Sequence, residues 1–323
     1  MNIIAEDIKK QEYKQIYLIY GEEAYLCRLY RDKLVEAIDA DPMNFTRFEG
    51  KKIPPEDIIE KCETMPFFAD SRVILIEDSG FFKEKSDVLN EYLKGIPDYD
   101  IIIFVEKEVD KRSKLYKTVE KYKGVCECSL LSEKELINWV LIELKKNGKQ
   151  IKKSALDMFM SGVGSDLNFI SCELAKLISY VGDRNEVTSN DIEEICSMQT
   201  ENRIFDMIND VASGKRDSAL KNYHDLLLLK EPPMRILSLM ERQFDQLLRI
   251  KELSSGGLGE KLIADKLKIH PYAVKKNLPL TRKYSMAELR TAVEKLVSAE
   301  EDVKSGRLTD SMSVEIMLIS LSR

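Results

Sequence analysis

The sequence is poor in glycine, proline and histidine and has no long apolar run. With 14 glycines and 9 prolines in 323 residues, its composition favours a helix-rich protein over a sandwich or barrel of short strands. Only two histidines are available to complete a zinc site or a catalytic triad. No apolar run approaches the roughly 20 residues that span a bilayer. We therefore expect a soluble protein that makes no membrane contact.

The cysteines are too sparse for a disulfide scaffold. The close pair, Cys126 and Cys128, is separated by one residue, whereas zinc sites usually space their cysteines by two to four. Alternate positions suit neighbouring residues of a strand instead. We interpret all six as buried free thiols in a reducing cytosol: Cys27, Cys62, Cys126, Cys128, Cys172 and Cys196.

The acidic residues near the start of the sequence and the net charge of the chain indicate where the protein is located and what it can bind. Glu6 and Asp7 stand where a signal peptide would carry positive charge, so we expect a cytoplasmic protein. The net charge of −6 argues against a strongly basic nucleic-acid coat. Because net charge averages over regions of opposite sign, it does not exclude DNA nearby.

The first 130 residues alternate between strand-like and helix-like segments. Continuous apolar runs at 73–77 and 101–105 are typical of strands buried on both faces. The run Ile16–Tyr20 precedes a helical periodicity over 22–40. Further strands are predicted at 44–49 and 125–129, and further helices at 54–64, 84–93 and 113–122. This alternation predicts an α/β domain with a parallel sheet covered by helices.

From Ser132 onward the pattern is helical. Ser132 and Glu135 form a capping box that opens a helix reaching about Lys146. Ser189, ahead of Asp191, is the predicted cap of a later helix. Helices are predicted at 152–160, 167–181 and 189–196, and, after a polar stretch at 198–203, at 204–213, 217–229, 233–254, 258–267, 271–277, 286–304 and 313–321. We predict three domains: an α/β domain over 1–130, a small all-helical domain over 131–200 and a larger all-helical domain over 201–323.

The turn after the first strand lacks the residues that bind phosphate. A phosphate-binding loop needs two glycines with four residues between them, a lysine for its charge and a hydroxyl for magnesium. Here Gly21 is followed by Glu22 and Glu23, and neither the second glycine nor the lysine is present. The two glutamates suit the positive end of a helix dipole. We therefore predict a domain that resembles a nucleotide-binding fold but binds neither phosphate nor a cofactor.

No catalytic or metal motif is present. The sequence has neither a G-x-S-x-G elbow nor an H-E-x-x-H pair. His224 lies in an amphipathic helix beside Tyr223 and Leu226, which favours a structural histidine. With 56 carboxylates in the chain, no single pair of them is informative. We predict no catalytic residue and no metal site.

The segment from Met65 to Arg72 holds adjacent aromatic residues in a turn. Pro66 biases Met65 away from helical geometry and so ends the preceding helix. Phe67 and Phe68 follow at once. One interpretation packs at least one phenylalanine under the sheet; the other makes the pair an exposed anchor for a partner protein. The residues alone leave both open.

A basic stretch near the end of the chain is a candidate for DNA contact. The segment 262–278 resembles a helix-turn-helix, and the wider stretch 261–283 carries seven Lys or Arg against the single acid Asp265. Such a patch can contact backbone phosphates. A helical hairpin with a solvated basic face is the favoured alternative. The candidate contact residues are Lys275, Lys276, Arg282 and Lys283.

The order of the parts resembles a degenerate member of the AAA+ clamp-loader group. Local segments carry a closer resemblance: Ile16–Glu23, Met65–Val73, Asp110–Lys117, Leu167–Leu177, and Leu296–Asp302 continuing through Lys304–Arg307. In this order they resemble the delta subunit of the bacterial DNA polymerase III clamp loader.

This resemblance implies a role in DNA replication. The family's first domain binds the ring-shaped sliding clamp (beta) and helps to open it. Its third domain joins a collar with the ATP-hydrolysing subunits and the delta-prime subunit, and the complex acts on primed DNA. The resemblance implies no catalytic centre of the chain's own within the polymerase holoenzyme. The family's hydrophobic wedge falls on Phe67 and Phe68, with Met65 beside them. The alternatives are a DNA-binding regulator that uses 262–278 and a highly divergent NTPase.

Overall fold

A computed structural model describes residues 3–84, 86–197 and 200–322, which fall into two compact units, 1–131 and 132–323. The first unit alternates strands with helices. Its elements are α1 (Ile3–Lys10), β1 (Ile16–Tyr20), α2 (Ala24–Ile38), a 3-10 turn (Pro42–Asn44), β2 (Phe45–Glu49), α3 (Pro55–Cys62), β3 (Arg72–Glu77), α4 (Asp87–Tyr92), β4 (Asp100–Glu106), α5 (Lys114–Glu120) and β5 (Val125–Glu127).

The strands of the first unit form one parallel sheet in the order β2-β3-β4-β1-β5. Every residue of β1 and β3 is buried, whereas β2, at the edge, is half-exposed. Parallel sheets are covered on both faces because their crossover connections place helices there. The predicted α/β domain with a parallel sheet is confirmed.

The strand register brings the residues that precede three strands to one edge of the sheet. Phe45 of β2 pairs with Val73 of β3, and Arg72 of β3 pairs with Asp100 of β4. Since the strands are parallel, the segments entering β2, β3 and β4 all lie at this amino edge. The turn that follows β1 lies at the opposite, carboxyl edge.

The second unit is mostly helical. Its helices are α6 (Glu133–Lys146), α7 (Lys153–Val163), α8 (Leu167–Val181), α9 (Ser189–Ile195), α10 (Thr200–Ala212), α11 (Arg216–Leu228), α12 (Pro233–Ser255), α13 (Glu260–Leu267), α14 (Pro271–Thr281), α15 (Met286–Lys304) and α16 (Asp310–Leu321). Two short parallel strands, β6 (Gln150–Ile151) and β7 (Glu186–Val187), also occur. These two strands were not predicted, because two residues are too few to show a strand period.

A single apolar core joins most helices of residues 200–322. It centres on α12, whose Ile236, Met240 and Phe244 are fully buried in one cluster with residues of α10, α11, α15 and α16. Residues 132–323 form one compact unit, so the division into domains at 131–200 and 201–323 stays a prediction.

Several details differ from the sequence-based expectation. The cap of α9 is Thr188, which makes a capping box with Asp191, rather than Ser189. The predicted polar stretch at 198–203 is helical from Thr200, while Met198 and Gln199 lie outside the described residues. Lys85, within the helix predicted over 84–93, lies outside them too.

The cysteines only partly fit the expectation of buried thiols. Cys27, Cys62, Cys126 and Cys128 are buried, but Cys196 is half-buried and Cys172 is exposed on α8. The prediction was therefore wrong for Cys172, which lies on the solvent side of an amphipathic helix.

Among the helices of residues 3–84, 86–197 and 200–322, none combines the length and the hydropathy of a membrane span.

A buried carboxyl group lies at the amino edge of the sheet. Asp100 is fully buried, and its neighbours on adjoining elements are Arg72 and Glu63. Burial raises the pKa of Asp100 to about 7, although the Arg72 guanidinium opposes that rise. The folded chain therefore binds the Asp100 proton more tightly than the unfolded chain does.

This difference in proton affinity predicts a pH-dependent stability. Between about pH 4 and pH 7 the folded state binds more protons than the unfolded state, so the free energy of unfolding falls as pH rises, by at most about 1.4 kcal/mol per pH unit from this group. Asp100→Asn removes this contribution and flattens the profile, which denaturant titrations at a series of pH values measure. The exposed control Asp98→Asn keeps the slope. Equal slopes in Asp100→Asn and the parent chain would contradict the assignment.

Candidate functional site

The segment between α3 and β3 exposes three large apolar side chains, Met65, Phe67 and Phe68, which we name the apolar cluster. These side chains are 74%, 53% and 94% exposed, respectively. The two phenylalanine rings meet edge to face, with centroids 4.5 Å apart. Neither ring packs beneath the sheet, as the core interpretation of this pair required. Contact with a sliding clamp stays a prediction.

Asn44, the residue directly before β2, holds the backbone of Phe67. Its side chain is 0% exposed. Asn44 Nδ2 donates to the Phe67 carbonyl at 2.9 Å, and the Phe67 N–H donates to Asn44 Oδ1 at 2.6 Å. One carboxamide makes both bonds because it carries a donor and an acceptor. Phe67 therefore has both backbone polar groups satisfied while its side chain faces solvent.

The ends of the apolar cluster are also constrained. Arg72 Nη2 donates to the Met65 carbonyl at 3.1 Å. Phe68 has a φ of +49°, in the left-handed region, which costs a residue with a Cβ about 1–2 kcal/mol. The strained residue is also the most exposed one. Such strain persists only where the surrounding structure fixes the backbone.

Sequence reasoning missed Met43 and Asn44. Met43 is 65% exposed and lies in the 3-10 turn, which Asp41 caps by accepting from the Met43 N–H at 2.8 Å. Because Asn44 bonds to Phe67, this turn lies beside the apolar cluster. A capping aspartate followed by Pro42 is a local signal for the turn. Nothing local identifies the partner of Asn44, which is 23 residues away.

At the carboxyl edge of the sheet, the turn after β1 is closed by the chain itself. Glu23 caps α2 and accepts from the Tyr25 N–H at 3.3 Å. The Glu23 N–H donates to the Cys128 carbonyl at 3.0 Å. Gly21 has a φ of +144°, and a Cβ there would lie 2.2 Å from the Cys128 carbonyl oxygen. The Glu23 and Tyr25 N–H groups, backbone donors of the kind that cradle phosphate in a phosphate-binding loop, are thus bonded within this chain.

The four basic candidates for DNA contact differ in their surroundings. Lys275 forms an ion pair with Glu133. Lys276 donates to Asn202 Oδ1 at 2.9 Å and lies 4.4 Å from the centre of the Phe205 ring. Burial lowers the pKa of Lys276, although Asp206 opposes the shift. Lys276 is therefore engaged in packing within the second unit.

The remaining two candidates, Arg282 and Lys283, are exposed at the end of α14. Lys283 Nζ donates to Asn209 Oδ1 at 2.8 Å and to Ser213 Oγ at 2.9 Å. Helices α13 and α14 share a small apolar core of Ile250, Ile263, Ala264 and Val274. That core accounts for the apolar spacing that resembles a helix-turn-helix. DNA contact by any of the four basic residues stays a prediction.

The two histidines have different surroundings. His270 caps α14, where its Nδ1 accepts from the Tyr272 N–H at 3.1 Å. His224 is exposed on α11, and its ring contacts that of Tyr223. Over the described ranges, no group of three or more His, Cys, Asp or Glu side chains is arranged to hold a metal ion.

Comparisons with known proteins agree along the length of the chain. A model of the family "DNA polymerase III, delta subunit" matches residues 17–129, and a model of that subunit's C-terminal domain matches residues 201–321. The DNA polymerase III subunit delta of Bacillus subtilis is 28% identical over 330 residues, an alignment that covers 98% of this chain and 95% of the relative.

Two further matches extend this result. A probable DNA polymerase III subunit delta of Aquifex aeolicus is 22% identical over 257 residues, covering 76% of this chain and 73% of the relative. The solved structure of the Bacillus subtilis DNA clamp loader delta protein superposes with a TM-score of 0.83 at 27% identity, covering 98% of each chain. The two family models together match well over half of the chain, in order, and the chain belongs to the family of DNA polymerase III delta subunits.

Proposed function

We propose that the chain binds a sliding clamp through Met65, Phe67 and Phe68 and helps to open the ring for loading onto primed DNA. The observation that carries the proposal is the apolar cluster, whose rings lie in solvent on a backbone with its own hydrogen bonds. Exposed aromatic side chains on a fixed backbone are typical of interface anchors. Membership of the delta-subunit family supports the same role.

The size of the cluster sets the expected strength of the contact. Burying one phenylalanine contributes roughly 1.5–3 kcal/mol by area, so two contribute about 3–6 kcal/mol. This corresponds to a factor on the order of a hundred to ten thousand in affinity. Ring opening further requires tighter binding to the open ring than to the closed one, because equal affinity for both states shifts no equilibrium.

We expect the double substitution Phe67→Ala/Phe68→Ala to reduce clamp affinity by about a hundredfold or more. Both rings are exposed in the free chain, so the melting temperature moves little. Surface plasmon resonance against purified clamp measures the first effect and differential scanning calorimetry the second.

Two controls make this experiment decisive. Val88→Ala removes an exposed apolar side chain elsewhere in the same unit and leaves clamp binding intact. Phe82→Ala removes a fully buried ring and lowers stability by about 3–5 kcal/mol. Normal clamp binding by the double variant, or a melting loss like that of Phe82→Ala, refutes the assignment.

We further propose that residues 201–323 join this chain to the ATP-hydrolysing and delta-prime subunits of a loader. One face of α16 packs Val314 and Leu318 into the core. Its opposite face exposes Met312, Ile316 and Ile319, whose spacing of four and three residues places them along one stripe. This stripe is the surface that we assign to subunit assembly.

Aspartates on that stripe should therefore weaken assembly. We expect Ile316→Asp/Ile319→Asp to lower affinity for the other loader subunits at least about tenfold, because an interface buries the introduced charges without partners. Co-purification of the mixed complex measures the loss. Leu262→Asp, at an exposed apolar position on α13, is the matched control. Full-yield assembly by the α16 variant, or by residues 1–200 alone, contradicts this assignment.

We also propose that the chain neither binds nor hydrolyses ATP on its own. At the turn after β1, the exposed Glu22 and the capping Glu23 place carboxylates where a triphosphate needs positive charge. We expect no heat of binding in calorimetry with magnesium and ATP, with an ATP-hydrolysing loader subunit as positive control. Binding on the order of micromolar that disappears when Gly21–Glu23 is mutated would overturn this expectation.

A further inference from the structure

The backbone of segment 65–68 is held by side-chain hydrogen bonds, although Met65, Phe67 and Phe68 are exposed. Large apolar groups in solvent give a loop little packing energy, and Phe68 adds a left-handed φ of +49°. Such a segment is expected to sample many conformations unless other groups hold it. The side chains that bond to its backbone are Asn44, at Phe67, and Arg72, at Met65.

The backbone of Asn44 is itself fixed by groups other than Phe67. The Asn44 N–H donates to the Asp41 carbonyl at 2.7 Å, and Asp41 also caps the turn through the Met43 N–H. Pro42 restricts the backbone at the start of this turn. On its other side Asn44 continues directly into β2, whose Phe45 pairs with Val73 of β3. The Asn44 carboxamide therefore fixes the backbone of Phe67 relative to β2 and β3.

We infer that Asn44 is a positioning residue that pre-forms the clamp-binding conformation of the apolar cluster and brings Met43 beside it as a further apolar contact. This inference rests on the proposed function. Asn44 is buried and does not itself touch the clamp. Its effect is to raise the fraction of free chains in which Phe67 and Phe68 are already presented.

Kinetics distinguish positioning from direct contact. Where the binding-competent conformation is only partly populated, the apparent affinity equals the intrinsic affinity multiplied by the populated fraction. Each neutral hydrogen bond changes an equilibrium by roughly a factor of two to ten. We therefore expect Asn44→Ala to weaken clamp binding about tenfold, mainly through a slower association rate. Phe67→Ala/Phe68→Ala instead accelerates dissociation.

The full-length chain and purified sliding clamp suffice for the test. Surface plasmon resonance gives both rates for the parent, Asn44→Ala, Met43→Ala and the matched control Asn90→Ala. Asn90 is also buried, and its Oδ1 accepts from Thr118 Oγ1 at 2.8 Å, away from the cluster. We expect Asn90→Ala to lower stability while leaving both clamp rates unchanged. Met43→Ala is expected to weaken binding a few-fold.

Hydrogen exchange of the Phe67 amide in the parent chain tests the inference even where a variant fails to fold. We expect the Phe67 amide to be protected in the free chain, because it donates to Asn44, and to lose that protection in Asn44→Ala. Exchange of this amide at the rate of an unstructured peptide overturns the inference. So does an unchanged association rate in Asn44→Ala while Phe67→Ala/Phe68→Ala binds poorly. Normal binding by that double variant refutes the proposed function itself.

Discussion

The parallel pairing of β2 with β3 is the constraint on which the apolar cluster depends. With Phe45 beside Val73, the residues that enter the two strands become neighbours at the amino edge of the sheet. Asn44 and Phe67 meet there although they lie 23 positions apart in the sequence. The same register sets Arg72 beside Asp100 on β4. The backbone that carries the exposed rings is therefore held by Asn44, a contact that the shared direction of β2 and β3 makes possible.

The two edges of the sheet have opposite characters. In open α/β sheets, nucleotides usually bind beyond the carboxyl ends of the strands. In this chain the turn beyond β1 is closed by the Cys128 backbone and capped by Glu23. The amino edge instead exposes the apolar cluster. In the proposed function, a sheet that resembles a nucleotide-binding fold binds a protein at its amino edge instead of a nucleotide at its carboxyl edge.

Sequence patterns predicted the elements well and the side-chain environments less well. The apolar runs at 73–77 and 101–105 gave β3 and β4, because buried parallel strands need continuous apolar residues. The same reasoning could not decide whether Phe67 packs inward, since burial depends on neighbours that tertiary structure supplies. The role of Asn44 depends on strand register, so the residues next to it in the sequence do not indicate that role. Lys276 shows the same limit, because its burial follows from packing against Phe205.

In the proposed function, a fixed backbone under the apolar cluster bears directly on ring opening. A flexible apolar segment adapts to the closed and the open ring alike, and equal affinity for both shifts no equilibrium. A segment held by Asn44 and Arg72 presents one shape, so it can fit one ring state better than the other. The difference in fit, rather than total affinity, is the free energy available for distortion of the ring. Fixing the backbone of Phe67 while leaving its ring in solvent meets that requirement, which burial of the ring or a mobile loop would not.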